Sequence, residues 1–157
     1  MERIAILVDV QNIYYTSRQA FSRQFNYSAF WNSVIMGRKV FAANAYAIAP
    51  NSGKQASFQT ILSDIGFNVK LKPYIQRRDG SAKGDWDVGI TLDMLELAEQ
   101  VDTIVLASGD GDFDLALQKV HHRYDVTTEV YGVRQLTAAS LIDSAQKFVP
   151  IDDDLLM

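Results

Sequence analysis

Residues 104–114 read IVLASGDGDFD, and this stretch joins an apolar run to a group of acidic side chains. The run Ile104–Ala107 is typical of a strand buried on both faces. It ends at Ser108 and Gly109, and three aspartates follow at alternate positions: Asp110, Asp112 and Asp114. Carboxylates this close raise one another's pKa unless a cation balances them. The three side chains therefore either point separately into water, or some of them surround a positive charge.

The composition is that of one ordinary globular domain. The chain has 157 residues, of which 48% are hydrophobic and 22% are charged, so it can bury a sizeable core without disulfides or a structural metal. It contains no cysteine, which excludes disulfides, thiolate zinc sites and cysteine nucleophiles. The two histidines, His121 and His122, are adjacent, so a metal site built from several histidines is not expected.

The N-terminal sequence MERIAILVDV does not predict a signal peptide, because its apolar run is short and Asp9 interrupts it. No stretch approaches the roughly 20 apolar residues needed to span a membrane, so we expect a cytoplasmic protein. The net charge of −4 argues against a protein that coats nucleic acid, since such proteins are usually basic. It is compatible with an enzyme that contacts nucleic acid at one place.

Short apolar runs alternate with helical segments along the chain. The predicted strands are Arg3–Val8, Phe41–Ala49, Phe67–Tyr74, Thr103–Ala107 and Thr127–Tyr131. The predicted helices are Asn12–Phe21, Tyr27–Val40, Lys54–Ile65, Trp86–Gln100, Phe113–Tyr124 and Ala138–Ala145. This alternation indicates a mainly parallel sheet covered on both faces, so we predict an α/β fold, a three-layer α/β/α sandwich. We assign residues 1–150 to a single domain and residues 151–157 to an acidic C-terminal tail, containing Asp152–Asp154, that we expect to be a frayed, solvated end.

The topology gives distant acidic residues a common location. In such sheets, ligands bind at the carboxyl ends of the strands, near the point where the strand order reverses. Asp9 ends the first strand, and Asp110 and Asp112 follow the fourth. Capping would account for them more simply, since Asp9 or Asn12 could cap one helix and Asp112 the next. A carboxylate at the end of a buried central strand, however, needs a partner, which Asn12 or a cation could supply.

Asp87 lies in the segment AKGDWDVGITLDMLELAEQ, where Asp85 is the predicted N-cap of a helix that starts at Trp86. At 100° per residue, Asp87 projects beside Met94 and Ala98, on the covered side of that helix. Its carboxylate either interacts with the helix dipole or faces a cation at the rim, and its location favours the cation. The predicted solvent-facing stripe of the same helix consists of Gly89, Asp93, Glu96 and Gln100.

A polar loop, Gln76–Gly84, precedes this helix with the sequence QRRDGSAKG. Its cationic residues are Arg77, Arg78 and Lys83. They belong either to a solvated connector or to a basic lip that holds a polyanion beside an acidic pocket. Composition does not decide between the two.

Four aspartates remain as candidate metal ligands: Asp9, Asp87, Asp110 and Asp112. Asp114 is left out because it falls in the first turn of a helix, where an anion is favourable without a metal. A carboxylate-rich site without cysteine or an isolated histidine suits Mg²⁺ or Mn²⁺. Such ions hold phosphate oxygens and activate water in phosphodiester hydrolysis.

Three motifs, in order along the chain, resemble those of the NYN domains in the LabA-like branch of the PIN-like nuclease superfamily. They are ILVDVQNIYY at the first strand, KGDWDVGITLDML in the middle and VLASGDGDFDLAL after the fourth strand. The resemblance extends over nearly the whole chain. It implies a PIN-like Rossmannoid sandwich with a metal-dependent ribonuclease-type site.

The resemblance also implies roles for individual residues. Matched by motif, the catalytic and metal-binding set is Asp9, Asp87, Asp110 and Asp112. With the basic loop included, the substrate-binding set is Asn12, Lys83, Arg77, Arg78 and Ser108. The aromatic candidates for stacking on a base are Tyr14, Tyr15, Trp86 and Phe113, although aromatic side chains at such positions more often pack in a core.

The leading hypothesis is an Mg²⁺- or Mn²⁺-dependent ribonuclease that hydrolyses RNA at the four-aspartate pocket, with Asp112 orienting the attacking water. The alternative is a non-catalytic regulatory module that binds RNA, a nucleotide or a partner protein with the same pocket. Receiver domains and haloacid-dehalogenase-type phosphatases are disfavoured, because the first strand ends in the single acidic residue Asp9 where those proteins have two. Whether the protein forms a homodimer is left open by the sequence.

Overall fold

The computed structural model describes residues 1–49, 53–73, 75–76, 82–83 and 85–157, with residues 49, 53–55, 73, 75–76 and 82–83 described by their backbone alone. Its strands are β1 (Arg3–Asp9), β2 (Lys39–Ala49), β3 (Asn68–Pro73), β4 (Ile75–Gln76), β5 (Ala82–Lys83), β6 (Thr103–Ala107), β7 (Thr127–Gly132) and β8 (Lys147–Pro150). Its helices are α1 (Val10–Phe21), α2 (Tyr27–Val34), α3 (Gly53–Ile65), α4 (Asp87–Leu97), α5 (Asp114–Tyr124) and α6 (Ala139–Ser144). No helix in these described ranges is both long enough and apolar enough to cross a membrane.

A single parallel sheet organises the described part of the chain. Its order is β3–β2–β1–β6–β7–β8, and every neighbouring pair is parallel. The predicted α/β sandwich with a mainly parallel sheet is therefore confirmed. The chain moves outward from β1 to β3 on one side and from β6 to β8 on the other, so the strand order reverses between β1 and β6. A reversal of this kind leaves a crevice at the carboxyl edge of the sheet.

The two faces of the sheet carry separate apolar cores, which makes the three layers. On one face, strand residues such as Ile6 and Val8 pack with Phe30 of α2 and Leu62 of α3. On the other face, Leu7 and Leu106 pack with Met94 of α4 and Leu117 of α5. The central strands are buried on both faces because successive side chains point to opposite sides, and this explains their continuous apolar sequences.

The predicted helix Tyr27–Val40 is too long. Helix α2 ends at Val34, and β2 begins at Lys39. Gly37 lies between them with φ +67°, a backbone conformation that stops a helix and that glycine adopts at little cost. The backbone N–H of Lys39 then donates to the carbonyl of Glu2 at 2.8 Å, which starts β2 beside β1.

Helix α4 is rotated relative to the predicted projection. Asp93, predicted to face solvent, accepts a hydrogen bond from the hydroxyl of buried Tyr46 at 2.7 Å and pairs with Lys70 Nζ at 2.7 Å. The apolar residues Val88 and Leu92 of the same helix are instead 70% and 60% exposed. The polar partners on β2 and β3 therefore turn the Asp93 side of the helix toward the sheet.

The last seven residues pack against the domain rather than fraying, so that expectation is wrong. Leu155 and Leu156 are 3% and 5% exposed, and Leu156 forms an antiparallel bridge with Phe25. The backbone N–H of Met157 donates to the carbonyl of Gln24 at 2.8 Å. The aspartates of the tail, Asp152–Asp154, are exposed, so the charges face water while the leucines complete the core.

We predict that Leu156→Ala lowers the free energy of unfolding by about 2–4 kcal/mol, because it leaves a cavity beside Phe25 in a buried cluster. Urea denaturation followed by circular dichroism measures this change. Asp154→Ala is the matched control in the same segment, and its effect stays within about 0.5 kcal/mol because the side chain is exposed. Equal stability of wild type and Leu156→Ala would contradict the observed packing of the tail.

Candidate metal centre

Three of the four predicted aspartates meet at the reversal point of the sheet. Asp9 ends β1, Asp110 follows β6 after a two-residue turn, and Asp87 opens α4. One carboxylate oxygen from each lies within 4.8 Å of the other two. They line an open cleft of about 230 Å³ together with Gln11, Asn12, Tyr15, Thr16 and Asp85. The convergence predicted for Asp9, Asp87 and Asp110 is thus present in the described structure.

Asp9 is the buried member of the group, with 7% of its surface exposed. The hydroxyl of Ser108 donates to its Oδ2 at 3.0 Å. Burial raises the pKa of Asp9 to about 6, although the hydroxyl of Ser108 and the backbone N–H of Asn12 partly offset that rise. A shift of this size corresponds to roughly 3 kcal/mol in favour of the protonated form. Asp9 occupies the N-cap position of α1, and the nearby backbone N–H of Asn12 lowers its pKa less than burial raises it, so capping alone does not explain the buried carboxylate.

The loop after β6 is held by side chains that belong to the predicted substrate-binding set. The Asn12 side-chain oxygen accepts a hydrogen bond from the backbone N–H of Gly109 at 2.8 Å. The hydroxyl of Ser108 also accepts from the backbone N–H of Asp110 at 3.2 Å. Asn12 and Ser108 therefore fix the distance between the ends of β1 and β6. In this structure their side chains position the carboxylates.

The loop after β6 also packs closely against residues 136–138. A methyl group added at Gly109 would lie 2.8 Å from the carbonyl oxygen of Leu136, and one added at Gly132 would lie 2.5 Å from the Thr137 hydroxyl. The backbone N–H of Ala138 donates to the carbonyl of Gly109 at 3.1 Å. Glycine is required at these positions because the backbone of Leu136 and the side chain of Thr137 leave no room for a Cβ atom.

Asp87 and Asp110 lie close enough for their carboxylates to repel each other. Burial is the main cause that raises the pKa of Asp87 to about 8, and its hydrogen bond to Asp110 and the negative charges of Asp110, Asp85 and Asp9 raise it further. Two carboxylates this close cannot both ionise readily without a counter-ion. A metal ion bound between them would supply that positive charge.

The donor set fits a hard divalent cation. All three converging groups are carboxylates, and oxygen ligands of this type suit Mg²⁺ or Mn²⁺. Burial is the main cause that raises the pKa of Asp9 and of Asp87, and repulsion from neighbouring carboxylates adds to the rise. A bound cation would remove this repulsion, and its remaining coordination positions would be open to water or phosphate oxygens.

Asp112, the fourth predicted ligand, lies outside the converging group. It is exposed, and its backbone N–H donates to Asp110 Oδ1 at 2.9 Å. Residues Gly111–Phe113 form a 3-10 turn whose capping side chain is Asp110 rather than Asp112, and α5 begins only at Asp114. The predicted cap at Asp112 is therefore wrong, and its carboxylate is not among the three that converge.

The position of Asp85 in the cleft was not predicted from the sequence. It lines the cleft, is exposed, and accepts the backbone N–H of Asp87 at 3.2 Å. Sequence reasoning made it the N-cap of a helix starting at Trp86, whereas α4 starts at Asp87 with Trp86 at the cap position. The signal was present, because two aspartates one residue apart before a helix seldom both serve as caps.

Lys72 of β3 places a positive charge at this edge of the sheet. Its Nζ lies 3.3 Å from the carbonyl oxygen of Asp85 and 5.1 Å from the ring centroid of Trp86. In the sequence, Lys72 can be identified from the alternation of polar and apolar residues in FNVKLKPY, residues 67–74. Of the predicted basic lip, Arg77 and Arg78 lie outside the described residues. For Lys83 the structure describes only the backbone, which pairs with Ile75.

The four aromatic residues predicted to stack on a base differ in how exposed their side chains are. Phe113 is fully buried, so its predicted availability for stacking is wrong. Trp86 is held against the sheet, with its indole N–H donating to the carbonyl of Ala47 at 2.8 Å. Tyr14 and Tyr15 are 48% and 59% exposed, and Tyr15 lines the cleft.

We predict that Asp87→Asn stabilises the metal-free protein at about pH 8 and has little effect at about pH 4. Because the folded-state pKa of Asp87 is raised to about 8, the native wild type retains a proton that the unfolded chain loses near the ordinary value of about 3.9. Wild-type stability therefore falls as pH rises between these values. Asparagine does not titrate and avoids this loss.

Urea denaturation in EDTA across that pH range measures the difference. The control is Asp154→Asn, an exposed carboxylate remote from the cleft, which should follow the wild-type curve. If Asp87→Asn is less stable than wild type throughout the range, Asp87 does not carry the proposed repulsion.

Comparison with known proteins agrees with this geometry. The sequence profile of the NYN domain family matches residues 3–152. The low amplitude and bright protein LabA of Synechococcus elongatus is 26% identical over an alignment of 159 residues, which covers 96% of this chain and 84% of LabA.

Two solved structures are also similar. A protein of unknown function from Vibrio parahaemolyticus is 57% identical and has a TM-score of 0.96, with 99% of this chain and 96% of that chain covered. MurG of Acinetobacter baumannii, 12% identical with a TM-score of 0.54 over 98% of this chain and 43% of its own, shares the fold alone. With a family profile that spans almost all its residues and a LabA relative aligned over most of its length, the chain belongs to the LabA-like NYN domain family.

Proposed function

We propose that the protein is an Mg²⁺- or Mn²⁺-dependent ribonuclease that hydrolyses RNA phosphodiester bonds in the cleft at the carboxyl edge of the sheet. The observation that carries this proposal is the convergence of Asp9, Asp87 and Asp110, with oxygens within 4.8 Å of one another, at the reversal of the strand order. Membership of the nuclease-like NYN family supports the reaction class.

Asp9, Asp87 and Asp110 would hold the ion. When bound, a divalent cation lowers the pKa of a water molecule and stabilises negative charge on the phosphate. The protein residues supply the rest. Asp9 stays fixed by Ser108, and the Asn12 side chain keeps the loop before Asp110 in place. Asp87, whose pKa is raised in the metal-free protein, would release its proton when it binds the ion beside Asp110.

We assign the orientation of the attacking water to Asp85. Its exposed carboxylate lines the cleft beside Asp87, so it can accept a proton from water at the edge of the site. Asp112, for which this role is predicted from the sequence, acts in our proposal through its backbone N–H, which fixes the orientation of Asp110. A water-orienting residue must reach the reacting atoms, and Asp85 meets this condition better than Asp112 does.

Phosphates of the substrate would be held by cations at the β3 side of the cleft. Lys72 lies against Trp86 and the backbone of Asp85, which keeps its charge close to the acidic group. Arg77, Arg78 and Lys83 remain predictions for the same task. Lysine and arginine at the edge of an acidic pocket bind the backbone phosphates while the ion binds the scissile one.

A second candidate function is RNA or nucleotide binding without turnover in the same cleft. It is favoured by the position of Asp112, since three carboxylates rather than four converge in the described structure. The net charge of −4 also suits a module that regulates rather than one that processes bulk RNA.

We predict that wild-type protein cleaves labelled RNA only with Mg²⁺ or Mn²⁺, and that Asp87→Asn and Asp110→Asn lower kcat/KM by at least about 100-fold. The loss exceeds the 10- to 100-fold typical of residues that merely support a metal ligand. Asp112→Asn retains more activity than either variant, because its carboxylate lies outside the group. The assay compares single-stranded and structured RNA by gel electrophoresis, with EDTA as a negative control.

Asp154→Asn, an exposed carboxylate elsewhere, is the matched control and should behave as wild type. Identical activity of wild type and Asp87→Asn would reveal a contaminating nuclease. Absence of cleavage by folded wild type, together with metal-dependent RNA binding, would replace the ribonuclease by the binding module.

We also predict that Mn²⁺ raises the thermal unfolding temperature of the wild type and leaves that of Asp87→Asn nearly unchanged. A ligand present at 100 times its dissociation constant stabilises the native state by about 2.7 kcal/mol, which calorimetry detects easily. If Asp87→Asn gains as much as wild type, the ion binds elsewhere.

A further inference from the structure

The outer face of α1 carries a stripe of exposed side chains that the metal centre does not use. It consists of Gln11, Tyr14, Tyr15 and Arg18, all exposed, at the spacing i, i+3, i+4 and i+7 that places residues on one side of a helix. The opposite side of α1 is buried through Val10, Ile13 and Ser17. The stripe therefore contributes nothing to the packing that holds α1 on the sheet.

One end of this stripe opens into the cleft. Gln11 and Tyr15 line it together with the aspartates, whereas Tyr14 and Arg18 do not. With a rise of 1.5 Å per residue, the stripe extends over about 10 Å of helix from Gln11 to Arg18. The cleft itself, at about 230 Å³, is smaller than the roughly 300–1,000 Å³ of sites that enclose a drug-sized ligand. A substrate bound there would continue outside it, and the stripe is one surface over which it can continue.

The two tyrosine rings are about half exposed and contact each other. Their centroids are 5.3 Å apart in an edge-to-face arrangement, and the guanidinium of Arg18 lies 5.5 Å from the Tyr14 ring. Exposed aromatic rings beside an arginine are what proteins use to bind unpaired bases, because every base has a face that can stack. In a duplex the base faces are already stacked and are not available.

The charge of the protein favours RNA binding by base stacking over binding by long-range electrostatic attraction. The cleft is acidic and the chain carries a net charge of −4, so long-range attraction of a polyanion is weak. Base stacking does not depend on net charge, and Gln11 adds an amide that can donate to and accept from a base edge. Arg18 supplies a local cation for a phosphate at the far end of the stripe.

We infer that Gln11, Tyr14, Tyr15 and Arg18 form a binding path for single-stranded RNA, on which bases stack against Tyr15 and Tyr14 before the strand enters the cleft. This inference rests on the proposed function and specifies its substrate as an unpaired strand. The Tyr15 ring, at the mouth of the cleft, sets the position of the base next to the phosphate that is cut.

The test measures binding of a short fluorescein-labelled oligouridine by fluorescence anisotropy, in EDTA and again with Ca²⁺, with the probe shown intact by gel. Tyr15→Ala should weaken binding about tenfold or more, the loss of one stacked base, and Tyr15→Phe should retain it. The duplex of the same probe with oligoadenosine should bind much more weakly than the single strand. Phe41→Ala is the matched control, since Phe41 is 46% exposed near the opposite edge of the sheet, and it should bind as wild type does.

The outcomes separate the two proposals. Unchanged affinity of Tyr15→Ala, equal binding of duplex and single strand, or no binding of the single strand under either condition would overturn the binding path. Metal-dependent cleavage with unchanged binding by Tyr15→Ala would leave the ribonuclease intact and remove only this inference. Binding that depends on Tyr15 without any cleavage would support the path and overturn the ribonuclease.

Discussion

The parallel pairing of β1 with β6 is the constraint on which the site depends. Their register ends with Val8 opposite Ala107, so Asp9 and Ser108 follow at the same level on adjacent strands. The hydrogen bond between them and the contact of Asn12 with Gly109 join the two strand ends. A slip of one residue would turn Asp9 to the other face of the sheet. The position of the buried carboxylate is therefore decided by the register of the central strands, which the apolar cores on both faces hold in place.

The carboxylates that could bind a metal ion make the metal-free protein less stable. Burying Asp9 and placing Asp87 against Asp110 both disfavour the ionised forms, as their raised pKa values show. A protein selected for stability alone would place neutral residues there. The turn that carries Asp110 is held by close contacts at Gly109 and by the Asp110 cap. A cation entering the cleft would offset the unfavourable charge of these carboxylates.

Much of the fold and part of the site could be predicted from the sequence. Buried strands are recognisable because short, continuous apolar runs between helical segments are typical of a sheet covered on both faces. The rule for parallel sheets then brings Asp9, Asp87 and Asp110 to one edge. The errors arise where the outcome depends on the rotation of one turn or helix. Asp112 lies in a 3-10 turn and outside the converging group, and Asp93 is drawn toward the sheet by Tyr46. Neither follows from periodicity, because both depend on partners distant in sequence. The exposure of Tyr15 was unpredictable for the same reason: an aromatic residue on a helix is equally compatible with core and surface until the buried side of that helix is known.

The contact between the last residues and the segment after α1 has a consequence for synthesis. Phe25, Tyr27 and Phe30 belong to the same buried cluster as Ile151, Leu155 and Leu156, and these groups are separated by more than a hundred residues of intervening sequence. At ribosomal rates of about 5–20 residues per second, the aromatic residues emerge on the order of 10 s before the leucines that cover them. During that interval the part of the cluster that these leucines cover stays exposed. Packing of this cluster is therefore completed only after residues 151–156 have emerged.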